Sequence, residues 1–127
     1  METLAPTFAV SADLDRSEVH YTASGLWDMP TMLEFQRELL SKSKPLLDRE
    51  AKIYSLGDLR GFVTQVREVS DAMRVVILES AKLGVVKSAI ISDNVLARMQ
   101  FMRLNEGINI EVFENKADAI NWLRASD

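Results

Sequence analysis

Few side chains in this sequence have an obvious chemical use. Among 127 residues there is one histidine, His20, and no cysteine. The missing cysteine excludes a thiol nucleophile, a thiolate zinc or iron–sulfur centre and a disulfide framework. A single histidine excludes the usual multi-histidine metal sites. His20 stands in the alternating run Val19-His20-Tyr21-Thr22, which places it in the middle of a strand, opposite Val19 and Tyr21. A Ser–His–Asp arrangement would require it at a strand end, so it reads as a half-buried or surface histidine and not as a general base. Neither G-x-G-x-x-G nor G-x-x-x-x-G-K-[ST] occurs, so no glycine loop is present to cradle a phosphate. Asp13 and Asp15 form a D-x-D, but inside a polar turn, where aspartates serve neighbouring backbone N–H groups. The expectation is a protein with no catalytic residues, no metal and no cofactor.

What remains is a set of polar and aromatic residues in short connecting segments. They are Gly25-Leu26-Trp27-Asp28, Asp58-Leu59-Arg60-Gly61-Phe62, Ser92-Asp93-Asn94 and Glu114-Asn115. Asp28, Asp93 and Asn115 each fit a helix cap. Trp27 and Phe62 fit either a lid on the core or a contact with a partner. Asp58 and Arg60, two apart on an extended or turning backbone, fit either an ion pair or a partner-facing couple. Arg98 and Met102, four apart on a helix, share a face. The candidate binding residues are therefore Trp27, Asp28, Asp58, Arg60, Phe62, Thr64 and Arg98.

These residues are positioned by a regular succession of elements. Phe8, Val10, Ala12 and Leu14 alternate with polar or small residues. After the turn at Asp13-Leu14-Asp15-Arg16-Ser17, Val19, Tyr21 and Ala23 do the same. This is the pattern of a β-hairpin with one buried face. A helix starts at Asp28 with Pro30 in its first turn, and Pro45 is expected to stop or kink it. A strand follows over residues 52–59. A second helix over 64–83 has Val66, Val69, Met73, Val76, Ile77 and Leu83 on one side and Gly84 as its terminator. Val85–Ile91 reads as a strand covered on both faces. A third helix is capped by Ser92 or Asp93 and carries Val95, Leu96, Met99 and Leu104. Ile108, Ile110 and Val112 form a last strand, and Asn115 caps a closing helix with Ala119, Ile120 and Leu123 inward.

The order ββαβαβαβα predicts an α/β fold: a single domain over residues 1–127 with a mixed five-stranded sheet. The hairpin supplies an antiparallel edge, and the later strands run parallel through crossovers. Parallel strands send their C-terminal ends to one rim, where ligands bind in open α/β sheets. All four segments above fall on that rim.

Composition agrees. Hydrophobic residues make up 47% and charged residues 27%, with a net charge of −4, so there is no bulk positive field for nucleic acid. The start of the chain lacks a basic segment with a long apolar run, and no apolar stretch nears the roughly 20 residues of a membrane helix. A cytoplasmic protein is expected. Met29, Met32, Met73, Met99 and Met102 either fill the core or line an adaptable apolar groove. Val75-Val76-Ile77-Leu78 is apolar nearly all round the second helix, which points to a neighbouring subunit and a homodimer.

The element order, Asp58-Leu59-Arg60-Gly61-Phe62, Ala97-Arg98-Met99 and the closing Ala117-Asp118-Ala119-Ile120-Asn121-Trp122-Leu123 together resemble the SpoIIAA-like proteins. These are small bacterial STAS-type domains, grouped by fold with the CRAL-TRIO lipid-binding domains. The resemblance implies a regulatory module that binds a protein partner or its own copy. The fold relationship also implies a small apolar ligand or lipid as the alternative. In the anti-sigma-factor antagonists a kinase phosphorylates the serine of a D-S-x-G motif. Here the corresponding stretch is Asp58-Leu59-Arg60-Gly61, and Leu59 offers no hydroxyl. Thr64 is the nearest hydroxyl, and it reads as a helix cap.

Overall fold

The computed structural model describes residues 4–94, 96, 99 and 109–125. β1 (Thr7–Asp13) and β2 (Glu18–Ser24) pair antiparallel, from Thr7 opposite Ser24 to Asp13 opposite Glu18. Their turn is held by Asp13, whose Oδ1 accepts the N–H groups of Asp15 at 3.1 Å and Arg16 at 3.2 Å. The D-x-D is thus turn chemistry.

The first helix, α1 (Met29–Asp48), begins where its sequence says. Asp28 Oδ1 accepts the Thr31 N–H at 2.9 Å, and Pro30 lies in the first turn. Of the two expected effects of Pro45, a stop or a kink, the stop does not occur. The chain stays helical for three more residues because Leu46 is fully buried beside Val19 and Ile53. Burying such a side chain is worth about 1.5–3 kcal/mol, enough to offset the backbone bond that proline cannot donate.

β3 (Ile53–Asp58), α2 (Arg67–Leu83), β4 (Val85–Ile91), β5 (Ile110–Phe113) and α3 (Lys116–Arg124) complete the described elements. α2 starts later than expected. Its N-cap is Val66, which makes no side-chain cap, and Thr64 lies exposed in the preceding loop. Of the helix expected between β4 and β5, only Leu96 and Met99 are described, both helical and exposed. Arg98, Met102 and Leu104 lie outside the described residues. α3 is capped by Asn115, whose side chain accepts the Asp118 N–H at 2.9 Å. No described helix is long and apolar enough to cross a membrane.

The sheet order is β1-β2-β3-β4-β5, antiparallel only in the opening hairpin and parallel elsewhere. This is the mixed α/β sheet that the alternation of elements predicts. α1 and α2 cover one face, where Met32, Phe35, Val69, Met73 and Val76 meet Ala23 and Ile90. Phe35 is the hub, with ring centroids 5.6 Å from Phe8, 5.6 Å from Tyr21 and 5.1 Å from Trp27. Gly57 makes room for this cluster. A Cβ there would lie 2.3 Å from the Tyr21 ring, which lies across its cross-strand neighbour. Met32 and Met73 are core residues, so the described residues form no methionine groove.

α3 covers the other face, with Ala119 and Leu123 against Leu56, Ala89 and Ile91. Two buried charges fix it there. Lys87 Nζ donates to the Trp122 carbonyl at 2.6 Å and sits 4.5 Å from the Trp122 ring centroid. Glu18 accepts from Arg124 Nε and Nη2, both at 3.0 Å, and from His20 Nε2 at 2.8 Å. Burial pushes the Glu18 carboxyl up, but the hydrogen bonds from Arg124 and His20 outweigh it and hold the group below the ordinary value. His20 is therefore part of a structural cluster, half-buried on the strand face opposite Val19 and Tyr21.

Candidate functional site

Because β2, β3, β4 and β5 run parallel, their C-terminal ends emerge on one rim. Backbone bonds knit the loops there. Gly25 N–H donates to the Gly61 carbonyl at 2.8 Å, Leu59 N–H to Ile91 at 2.8 Å, and Ser92 N–H to Phe113 at 3.0 Å. Gly25 bridges to Phe62. Its φ is +84°, and a Cβ would lie 2.3 Å from the Ala5 carbonyl oxygen, so only glycine fits this crossing. Asp93 adds a side-chain clasp, its Oδ1 accepting the Gly61 N–H at 3.2 Å.

One residue of the rim was not legible as important in the sequence. Gln65 is buried and joins two loops. Its Oε1 accepts the Trp27 N–H at 2.8 Å, and its Nε2 donates to the carbonyls of Gly25 at 3.0 Å and Val63 at 2.5 Å. These are the bonds that a strand or helix would otherwise supply to the backbone at the end of β2. A lone glutamine between Thr64 and Val66 carries no periodic or motif signal that could have marked it.

The candidate residues divide in the structure. Trp27 and Phe62 are each only 2% exposed, and their rings meet edge-on at 5.2 Å. The Trp27 indole N–H donates to the Ser24 carbonyl at 3.0 Å. Both are buttresses beneath the rim, so of the two roles the sequence left open, core lid and partner contact, their burial matches the core lid. Asp28 is exposed and engaged as the α1 cap. Thr64 is exposed but caps nothing. Arg98 is outside the described residues.

Asp58 and Arg60 come together at the surface. Arg60 Nε donates to Asp58 Oδ1 at 2.9 Å, Nη2 to Oδ2 at 2.6 Å, and the Arg60 backbone N–H to Oδ1 at 3.2 Å. The Arg60 hydrogen bonds hold the Asp58 carboxyl below its ordinary value, and the same pairing raises the guanidinium. The fork geometry fixes the Arg60 side chain, which stays half-exposed. Beside the pair, Thr7, Thr22 and Ser24 line an open polar recess. Thr7 and Ser24 share a hydroxyl–hydroxyl hydrogen bond. The same loops hold three large apolar side chains in water: Leu4, Leu26 and Val66, at 53%, 38% and 52% exposure. Leu26 N–H donates to the Leu4 carbonyl, which sets these two side by side.

A crystal structure of an uncharacterised protein of the DUF3478 family from Shewanella loihica PV-4, itself of SpoIIAA-like fold, superimposes with a TM-score of 0.67. The match covers 97% of this chain and 98% of that one at 17% identity. The fold is SpoIIAA-like. No family model and no curated protein matches the chain. Leu59, which the sequence resemblance alone sets against the serine of the D-S-x-G motif, is buried at 1% exposure. A phosphate switch at that position is excluded both by the missing hydroxyl and by the packing.

Proposed function

We propose that this chain is a non-enzymatic, STAS-like interaction module of the cytoplasm that grips a protein partner through its rim. The observation that carries this reading is the setting of Arg60. It is an exposed arginine with a fixed geometry, carried on the same knitted loops as Leu4, Leu26 and Val66. Arginine is enriched among residues that dominate binding energy, and apolar neighbours supply area that excludes water. Asp58 pre-orders the Arg60 side chain, so less rotamer freedom is lost on binding. Gln65 and the Trp27–Phe62 pair hold the loops from beneath, so the rim meets a partner without reorganising. The partner is a protein or a second copy of this chain, and the net charge of −4 disfavours nucleic acid.

The test is capture from a lysate with immobilised wild type and Arg60→Ala. The variant is expected to lose specific proteins that the wild type retains, with its melting temperature unchanged. Equal recovery of the same proteins by both would remove this reading. Sedimentation equilibrium on the two proteins separates a second copy from a different partner.

A further inference from the structure

The two edges of the sheet differ. β5 has four residues, whereas β1 has seven and lies outermost beyond β2. Among the described residues no backbone bond ties β1 to anything but β2. The N–H and C=O groups on its outer side therefore form an unpaired row. Folded proteins usually blunt such an edge with a lysine, a proline or a bulge. β1 has none of these. It reads Thr-Phe-Ala-Val-Ser-Ala-Asp, its one charge sits at its end serving the turn, and its register with β2 is unbroken. An edge of this kind takes up a further strand.

The order of residues in β1 selects a second β1. Val10 is the middle residue. A two-fold axis beside it sets two such strands antiparallel, with Val10 facing Val10 of the second copy. Phe8 then faces Ala12, Ala9 faces Ser11, and Thr7 faces Asp13. On the side toward α1, where Phe8 and Val10 pack, a large side chain meets a small one. On the other side Thr7, Ala9 and Ser11 are short and exposed, and the only carboxylate meets a hydroxyl. No like charges stand opposite each other.

α1 adds charge complementarity. It lies over β1, as α2 lies over β4. Gln36, Leu40 and Ser43 point from α1 toward α2. Glu38 and Lys42, one turn apart, fall by helical spacing on the opposite flank, beside the free edge. Both are half-exposed, with Lys42 Nζ 3.7 Å from Glu38 Oε1. Leu39, between them in sequence, packs in one cluster with Val10, while Phe35 meets Phe8. The axis beside Val10 thus passes near the midpoint of Glu38 and Lys42. It brings each Glu38 opposite Lys42 of the second copy.

We propose that two copies of this chain join antiparallel through β1, with Val10 on the two-fold axis, into one ten-stranded sheet whose pairing is selected by Glu38 and Lys42 across the two α1 helices. The interface is separate from the rim, so Arg60→Ala leaves it intact.

The test is sedimentation equilibrium on the full chain, with wild type expected to be a dimer. The double variant Ala9→Lys, Ser11→Lys sets lysines opposite one another across the axis and touches no core residue. It is expected to be a monomer with the circular dichroism spectrum of wild type. Glu38→Lys and Lys42→Glu each turn two facing pairs into like charges, and each should weaken the dimer roughly tenfold. Mixed in equal amounts, these two variants should recover the dimer, because every lysine again faces a glutamate. A monomeric wild type, a dimer that survives the two lysines, or a mixture no tighter than its components would each overturn the proposal. So would a dimer lost in Arg60→Ala, which would move the contact to the rim.

Discussion

On the side of the sheet covered by α3, the two buried charges among the described residues, Glu18 and Lys87, are tied down. Glu18 holds Arg124 and His20, and Lys87 holds the Trp122 carbonyl of α3. On the side covered by α1 and α2, the anchoring is aromatic and concentrated toward the rim. Phe8, Tyr21, Trp27, Phe35 and Phe62 interlock there. Further from the rim, serines replace bulk and the helices part around a cleft. The α3 face is thus finished as structure alone. The α1–α2 face is rigid beneath the rim and unfilled beyond it.

This contrast can be broken by substitution. The largest effect is expected from Phe35→Ala, which removes the aromatic hub and leaves a cavity. It should cost about 3–5 kcal/mol in denaturant unfolding, and a loss well under this would show that the cluster is not the backing of the rim. Gln65→Ala leaves the Trp27 N–H and the Gly25 carbonyl unpaired in a buried place. It should cost about 1–3 kcal/mol and raise amide exchange selectively in residues 24–28 and 61–65.

The α3 face is sharpened by pH. The Glu18 carboxyl is held below its ordinary value in the folded state. Its stabilising contribution is therefore complete above the unfolded carboxyl value of about 4.3, and is lost as pH falls through the lower folded value. Glu18→Gln should melt below wild type at pH 7 and show a shallower decline between roughly pH 5 and 3. Parallel melting curves over that range would remove Glu18 from the account of acid sensitivity. The smallest effect is expected from Asn115→Ala, which deletes the α3 cap. It should cost about 1 kcal/mol in thermal unfolding without changing the rim or the cleft.

Much of this architecture is legible in the sequence because it rests on local rules. Alternation marks the hairpin, Asp28 and Asn115 mark helix starts, and the β–α succession fixes parallel pairing and so a single rim. The departures come where tertiary packing overrides local preference. Pro45 stays helical because Leu46 is fully buried against Val19 and Ile53. Thr64 loses the cap because the chain spends the following residue, Gln65, on bonds to a loop about 40 positions earlier. Trp27 and Phe62 were ambiguous by type alone, since an aromatic residue near a strand end serves a surface or a core equally well. Their mutual edge-on contact decides for the core. The cleft was written in the sequence as serines at inward positions. A serine in an element gives no sign of its direction until the helix and strand registers are known.

The most direct test of the rim as the contact surface is site-specific photo-crosslinking. A photoreactive amino acid is placed at Leu26 on the rim and, in a second protein, at Val75 on the exposed side of α2. The account predicts a discrete crosslinked partner from position 26 that disappears on adding Arg60→Ala, and none from position 75. Crosslinking from position 75 alone, or from position 26 with no dependence on Arg60, would contradict it.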